Sequence, residues 1–381
     1  MDMFILRAIE LAQKGIGFTS PNPAVGAVIV KNGKIIGEGW HKKAGGPHAE
    51  VVAIKKTEVR SPKSGSSILY VTFEPCCHTG KTPPCTDAII ASGIKSVVVG
   101  MVDSLKHTNT KGIQALRSHG VSVHVLNKKT VLAKEIRLLN QPFIKWAKTG
   151  LPYVIMKSAV SLDGKIATRT GESKWITGSS AREDARLERS MCDAVLVGAG
   201  TVMADDPELA AHGVHKKKQL LRVIIDPELS LPLSKKVFRP PSSPVVMSGD
   251  FGETRDMHVL VACTDRAIAD RRRVYEKQGI QFQSFGKTRV NIRRLLAHLG
   301  TVGIQSIFVE GGAGIHGAFH DAGVIDKVIF YIAPKIIGGE GALSAVGGAG
   351  TKLLDETLQF QETSWKNIGD DMKFVGRVNE Y

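Results

Sequence analysis

Nowhere in its 381 residues does the sequence run to about 20 consecutive apolar residues, so no membrane-spanning helix is expected. Cysteine is scarce: Cys76, Cys77, Cys85, Cys192 and Cys263 are the whole complement. Five is an odd number and three of them fall within ten residues. That excludes a regular disulfide framework and suits a metal or catalytic cluster in a reducing cytoplasm. Aromatic residues make up 6% of the chain, few stacking platforms for single-stranded nucleic acid. Acidic residues are outnumbered 36 to 51, which leaves a formal charge of +15. Such an excess binds nucleic-acid phosphates in some proteins and draws in small anionic substrates in others. Here the basic residues are scattered. The tightest runs are Lys216 to Lys218 and Arg271 to Arg273, and the second shares a helical pattern with Asp270 and Glu276. That is a solvated face rather than a groove, so a small anionic ligand is expected and nucleic acid is not. The opening stretch, MDMFILRAIELAQKG, has no basic leader and no small-residue cleavage site. Ile5, Ile9 and Ala12 share one helical face, so it reads as an amphipathic helix rather than a signal peptide.

What is present is ordinary globular composition, with 43% hydrophobic and 23% charged residues. At about 100–200 residues per domain, the length favours two. Residues 24–30 and 35–38 read as strands joined by an Asn32-Gly33 hairpin turn. After them, strands at 68–73, 96–102 and 121–126 alternate with helices at 48–56, 85–92 and 111–119, and a longer helix spans 131–146. This alternation predicts an α/β layered domain over 1–147. Gly150 and Pro152 punctuate the junction. A second α/β domain over 148–381 is expected, with strands at 153–159, 194–197, 222–225, 259–262, 304–309 and 328–333. Its helices fall at 181–190, 265–277, 290–299 and 315–322, and residues 227–244, rich in Pro and Ser, read as loop.

Chemistry concentrates in two segments, GPHAEVVAI from Gly46 and EPCCHTGKTPPC from Glu74. Zinc favours imidazole and thiolate donors, and a catalytic site uses three of them and leaves a fourth position for water. His48, Cys76 and Cys85 supply that set. His-x-Glu with a downstream Pro-Cys pattern is the arrangement of zinc deaminases, in which the Glu is a proton shuttle and not a ligand. Glu50 is therefore the expected catalytic acid–base. Eight residues separate Cys76 from Cys85 where two are usual, and the insert brings in Cys77 and His78 as rival ligands on spacing alone. Cys85 is preferred because Pro83 and Pro84 lead into a helix whose positive end would stabilise a thiolate at Cys85. Zinc-activated water would attack an amidine-type carbon, and Glu50 would pass its proton to the departing amine.

The second half carries SIFVEGGAGIHGAF, a strand, a glycine turn and a helix. Gly311, Gly312 and Gly314 allow backbone N–H groups to approach a phosphate at the helix start. Glu310, at the strand end, is a candidate for ribose hydroxyls. In ESKWIT, Ser173, Trp175 and Thr177 alternate, so an extended segment would place them on one face. Trp175 either stacks on nicotinamide or fills core. Thr201, Asp205 and Asp206 lie in TVMADDP, which reads as a turn before Pro207.

At these residues the chain resembles the bifunctional deaminase–reductases of riboflavin biosynthesis. The likeness covers nearly the whole chain, through SPNPAVGAVIV, GWHKKAGGPHAEVVAI, YVTFEPCCHTGKTPPC and ASGIKSVVVGMVD in the first half. KSAVSLDGKIATRTGESKWIT, VGAGTVMADDPEL and FVEGGAGIHGAF carry it in the second. It implies a cytidine-deaminase-like α/β/α domain followed by a dihydrofolate-reductase-like α/β domain. The implied reactions are deamination of a diaminopyrimidinone bearing a phosphoribosylamino group, then reduction of its ribosyl to a ribityl chain with NADPH. Asn22, His41, Lys81 and Asp103 would contact the deaminase substrate. Ala159, Trp175, Thr201, Asp205, Gly312, Ala313 and Gly314 would hold NADPH, with Asp205 also assisting proton transfer. Ser173, Arg189, Leu209, His212 and Glu310 would bind the reductase substrate, with Lys157 and Asp163 as further candidates. Two positions depart from the family pattern: Leu105 stands where an asparagine is usual, with His107 or Asn109 as substitutes, and His212 where a phosphate-binding arginine is usual, with Lys216 to Lys218 nearby. The likeness also suggests a cytoplasmic homo-oligomer. A nucleic-acid base deaminase with an appended binding domain is the alternative that the charge favours, and a nucleotide-binding regulator with a degenerate site is the one that the two departures favour.

Overall fold

A computed structural model describes residues 2–57, 67–80, 82–105, 108–210, 219–240 and 258–381. The chain divides into two compact units, Met1–Gly150 and Leu151–Glu380, with Tyr381 grouped with the first.

In the first unit the elements are α1 (Asp2–Gln13), β1 (Gly26–Lys31), β2 (Lys34–Trp40), α2 (Ala49–Lys55), β3 (Ser67–Val71), α3 (Cys85–Ala91), β4 (Ser96–Val99), α4 (Lys111–Ser118), β5 (Ser122–Val125), α5 (Val131–Leu139) and α6 (Gln141–Thr149). The sheet order is β2-β1-β3-β4-β5. β1 is antiparallel to both neighbours and the rest is parallel. The period of two along a strand sorts side chains onto two faces. Ala27 and Ile29 of β1 join a core with Ala49, Ala53, Ile89 and Ile113 from α2, α3 and α4. Val28 and Val30 join the opposite core with Ile5, Ile9 and Ile136 from α1 and α5. The result is helices on both faces of one sheet. The expected helix over 131–146 is two helices. Asn140 ends one and begins the next, with Pro at the start of α6. Its amide is bound to Ala24, taking the N–H at 2.8 Å and donating to the C=O at 3.2 Å. A tertiary contact there outweighs continued helical periodicity.

The second unit runs β6 (Tyr153–Ser161), α7 (Ser179–Ser190), β7 (Ala194–Gly198), α8 (Ala199–Asp205), β8 (Leu221–Ile225), β9 (Val259–Cys263), α9 (Ala269–Lys277), β10 (Gln281–Ser284), α10 (Ile292–Thr301), β11 (Ser306–Val309), α11 (Ala313–Asp321), β12 (Lys327–Ala333), β13 (Glu362–Ile368) and β14 (Asp371–Arg377). Among the described residues its sheet has the order β10-β9-β8-β7-β11-β6-β12-β14-β13. It is parallel from β10 to β12 and closes with an antiparallel hairpin. The chain steps outward from β7 to β10, then returns to insert β11 beside β6. That reversal opens a crevice at the carboxyl ends of β6, β7 and β11, the usual ligand position in such sheets. α8, β10, β13 and β14 were not among the expected elements. α8 is one short helix where an acidic turn was read. β13 is exposed along most of its length, so it has no apolar alternation to betray it. The described part of the 227–244 segment is loop with one short 3-10 turn, Lys236–Phe238. Among the described residues no helix is long and apolar enough to cross a membrane.

One close approach positions the helix that carries Glu50. A Cβ on Gly39 of β2 would lie 2.3 Å from the Ala49 carbonyl oxygen and 2.6 Å from the Ala53 nitrogen, so only glycine lets α2 lie this near the sheet. Gly39→Ala is expected to destabilise the chain by about 1–3 kcal/mol in urea denaturation. Unchanged stability would mean that α2 can move away freely.

Candidate active sites in the two units

The first site is built where α2, the 74–85 segment and α3 meet. His48 is the N-cap of α2, and Glu50 lies in its first turn. Cys85 begins α3, straight after Pro84. His48 Nδ1 lies 3.1 Å from Cys85 Sγ and 3.5 Å from Cys76 Sγ. All three donor atoms fall within 4.8 Å of one another. Ligands of a tetrahedral zinc ion, with bonds of about 2.0–2.3 Å, stand roughly 3.5 Å apart, so the donor set fits that metal. Among the described residues Cys77 and His78 are not part of the cluster.

The thiol chemistry differs from expectation in one respect. The helix-start amide of Cys85 donates to the Cys76 sulfur at 3.3 Å, not to its own side chain. Between the protein groups themselves, the Cys85 thiol also hydrogen-bonds Cys76. This holds the Cys76 thiol well below its ordinary range and pushes Cys85 upward. The Cys85 amide therefore supports negative charge on the Cys76 sulfur.

Glu50 is buried and borders His48, Cys76 and Cys85. Burial pushes its carboxyl up to about 7, the nearby His48 opposing, which suits a group that must both take and return a proton near neutrality. His41 stands edge-on to His48, 5.1 Å between ring centres. Its Nδ1 donates to the Pro47 carbonyl at 3.1 Å, so Nε2 accepts from Asn22 Nδ2 at 3.1 Å. Burial lowers the His41 pKa and keeps the ring neutral. His41 thus fixes the orientation of the Asn22 amide. Both Asp103 carboxylate oxygens are taken by its own turn, from Leu105 N–H at 3.0 Å and the Thr108 hydroxyl at 2.5 Å. Leu105 packs against the Phe73, Phe143 and Ile144 cluster, which accounts for an apolar residue there. Asn109 donates to the Asp103 carbonyl at 2.6 Å. Lys81 and His107 lie outside the described residues.

Glu74 was not singled out from the sequence. It is buried, and its carboxylate accepts four backbone N–H bonds, from Asp103, Thr110, Gly112 and Ile113, at 2.9–3.2 Å. It ties the backbone at Asp103 and from Thr110 to Ile113 to the chain entering Pro75 and Cys76. No pattern of residue types in the sequence announces such a role.

The second site is a cavity of about 430 Å³ at the carboxyl ends of β6, β7, β11 and β12, within the usual size of small-molecule sites. Of the predicted residues, Ala159, Ser173, Trp175, Arg189, Thr201, Asp205, Leu209 and Glu310 line it, as does Lys157. Arg189 and Glu310 pair at 3.3 Å. Gly311 lines it too, while Gly312 caps α11 and Ala313 and Gly314 form its first turn. Residues 173–177 form a turn rather than an extended strand, yet Ser173, Trp175 and Thr177 all reach the cavity. Trp175 is 63% exposed, which excludes a core role. The Arg182 guanidinium lies over its ring, 4.5 Å from the centre. Asp205 ends α8 and pairs with Lys174 at 3.0 Å. Asp206 turns away to accept the Lys236 amide at 2.9 Å. Asp163 also lies elsewhere, accepting the Ser161 hydroxyl and the Ile337 and Gly338 amides. Those bonds hold its carboxyl at about 2. His212 and Lys216 to Lys218 lie outside the described residues. Sequence reading did not single out Arg182, Arg186 or Tyr331, which also line the cavity. Their helical and strand spacing is a signal only once the sheet order is known.

Residues 2–101 match the family model for the cytidine and deoxycytidylate deaminase zinc-binding region, and residues 152–374 match the RibD C-terminal domain. The riboflavin biosynthesis protein RibD of Aquifex aeolicus (strain VF5) is 40% identical over 365 residues, covering 96% of this chain and 95% of that protein. Among solved structures, Acinetobacter baumannii RibD, form 1, has a TM-score of 0.84 at 34% identity, covering 99% of this chain and 98% of the other. A Thermotoga maritima diaminohydroxyphosphoribosylaminopyrimidine deaminase/5-amino-6-(5-phosphoribosylamino)uracil reductase has a TM-score of 0.81 at 33% identity, with the same coverage of both chains.

Metal analysis is expected to find about one zinc per chain, lost in Cys85→Ser and Cys76→Ser and kept in Cys77→Ser. Full zinc in Cys85→Ser would transfer the third ligand to Cys77 or His78.

Proposed function

The chain belongs to the RibD family of riboflavin biosynthesis deaminase–reductases, and from that premise we propose a division of labour between its two sites. Residues 1–147 carry out the hydrolytic deamination of 2,5-diamino-6-(5-phosphoribosylamino)pyrimidin-4-one. Residues 148–381 then reduce the ribosyl to the ribityl side chain. The observation that carries the reading is the convergence of His48, Cys76 and Cys85 beside a buried Glu50.

His48, Cys76 and Cys85 would hold zinc, which when bound supplies Lewis acidity that acidifies a water molecule. Glu50 takes the proton of the attacking water and returns it to the departing amine, leaving a ring carbonyl and ammonia. Its raised pKa matches both halves of that transfer. Asn22, oriented by His41, holds the pyrimidine edge, with Asp103 as a further contact.

In the second unit NADPH when bound supplies the hydride. Trp175, Thr201, Asp205, Ala159 and the Gly312–Ala313–Gly314 turn place the cofactor. Asp205 also assists proton transfer. Glu310 accepts from ribose hydroxyls, and Arg189 fixes that carboxylate while facing the substrate. Ser173 and Leu209 complete the contacts. The protein works as a cytoplasmic homo-oligomer on a small phosphorylated pyrimidine, without nucleic acid. The Arg271 to Arg273 run supports the last point: Arg271 and Arg272 donate to backbone carbonyls and Arg273 pairs with Asp270.

Glu50→Gln is expected to keep its zinc and to lower ammonia release about 10²–10⁴-fold. NADPH oxidation on the pre-deaminated pyrimidine should persist. Loss of both reactions in a folded variant would overturn the division into two independent sites.

A further inference from the structure

α7 presents charge of opposite sign on two faces. On one, Asp184 and Glu188 receive Lys373 at 2.6 and 2.7 Å, and Lys327 approaches Glu188 at 3.4 Å. Tyr331 donates to Asp184 at 2.6 Å. Lys373 and Lys327 are both largely buried, so this cluster fixes the rotation of the helix. On the other face Arg182, Arg186 and Arg189 all reach the second-unit cavity.

The cavity's acids are already committed. Glu310 is paired with Arg189 and Asp205 with Lys174, and Glu208 lies in the field of Arg222. Arg182 is stacked on Trp175 and donates to the Thr177 carbonyl at 2.6 Å. Neither contact neutralises it. Arg186 is exposed and has no ion pair among the described residues. Two cations one helical turn apart repel each other, and Arg182, near the N-terminus of α7, also opposes the helix dipole. This arrangement costs stability in the free protein and is relieved by a dianion between the two guanidinium groups.

We propose that Arg182 and Arg186 form a phosphate-monoester clamp at the mouth of the cavity, an element of specificity for the reductase reaction. The proposal rests on the reading of that cavity given above. Two ligands of the reaction carry such a group, the 2′-phosphate of NADPH and the 5-phosphate of the pyrimidine substrate. The test compares each with its counterpart lacking the phosphate. Calorimetry would measure binding of NADPH against NADH, and of the substrate against its dephosphorylated form. Wild type, Arg186→Ala, Arg186→Lys and Arg182→Ala would be compared, with KM and kcat for the reduction alongside.

Loss of one charge-assisted contact is expected to weaken one phosphorylated ligand about ten- to one-hundred-fold and to leave its counterpart unchanged. KM should rise with little change in kcat, and Arg186→Lys should recover part of the loss by restoring the charge. Discrimination lost between NADPH and NADH assigns the clamp to the cofactor. Discrimination lost between the two pyrimidines assigns it to the substrate. Equal weakening of a ligand with and without its phosphate, or no weakening in Arg186→Ala, overturns the clamp. Arg186 is exposed and makes no ion pair or side-chain hydrogen bond among the described residues, so that variant decides even if Arg182→Ala unfolds. A wild-type chain that turned over neither pyrimidine would instead overturn the reductase assignment, with the binding comparisons still judging the clamp.

Discussion

The buried carboxylate of Glu74 is the constraint on which the first site depends. A buried carboxyl group is costly unless its oxygens are hydrogen-bonded, and here the backbone N–H groups of Asp103, Thr110, Gly112 and Ile113 meet that demand. The segments so joined are the one running into Pro75 and Cys76 and the one leading into α4. The fit is close. A Cβ on Gly112 would lie 1.9 Å from the Pro75 carbonyl oxygen. Cys76 is therefore placed by its immediate chain neighbours before any metal contributes. The Cys85 amide and His48 then meet it from two helix starts. Prearranged donors of this kind reduce what a metal ion must spend on ordering its own ligands.

The second unit solves a similar problem with ions. Lys373, Lys327, Asp184 and Glu188 lock α7 against β12 and β14. Burial raises the Glu188 carboxyl, but the two lysines outweigh it and hold the pKa below the ordinary value. Removing one partner of such a cluster leaves uncompensated buried charge, which is why its members behave as a unit. Its consequence for function is indirect. It fixes which arc of α7 faces the cavity, and with it the position of Arg189 opposite Glu310. The hairpin of β13 and β14 thus contributes to the site through Lys373, although Lys373 is not among the residues that line the cavity.

Much of this was legible in the sequence wherever one local rule governed. The Asn32-Gly33 turn, the helix starts at His48 and Cys85 and the strand–turn–helix at Glu310 each follow from short-range chemistry. Cys85 joins the donor cluster as its place at a helix start implied, although the chain path aims the Cys85 amide at Cys76, nine residues away. One local reading failed. The alternation in ESKWIT implied an extended segment, but residues 173–177 fold as a turn whose Trp175 and Ile176 carbonyls accept from the Lys335 ammonium. Trp175 reaches the cavity all the same, because the turn, not the alternation, directs it there.

By itself the sequence determined the donor types, their spacing and the two α/β patterns, because thiolate, imidazole and carboxylate chemistry is a property of residue type and periodicity a property of local order. Tertiary structure alone decided which sulfur the helix-start amide favours, which carboxylate organises the metal loop and which side of α7 faces ligand. Those outcomes depend on groups from nine to nearly two hundred residues apart meeting within about 3 Å, as Asp184 meets Lys373. No pairwise pattern along the chain encodes that distance.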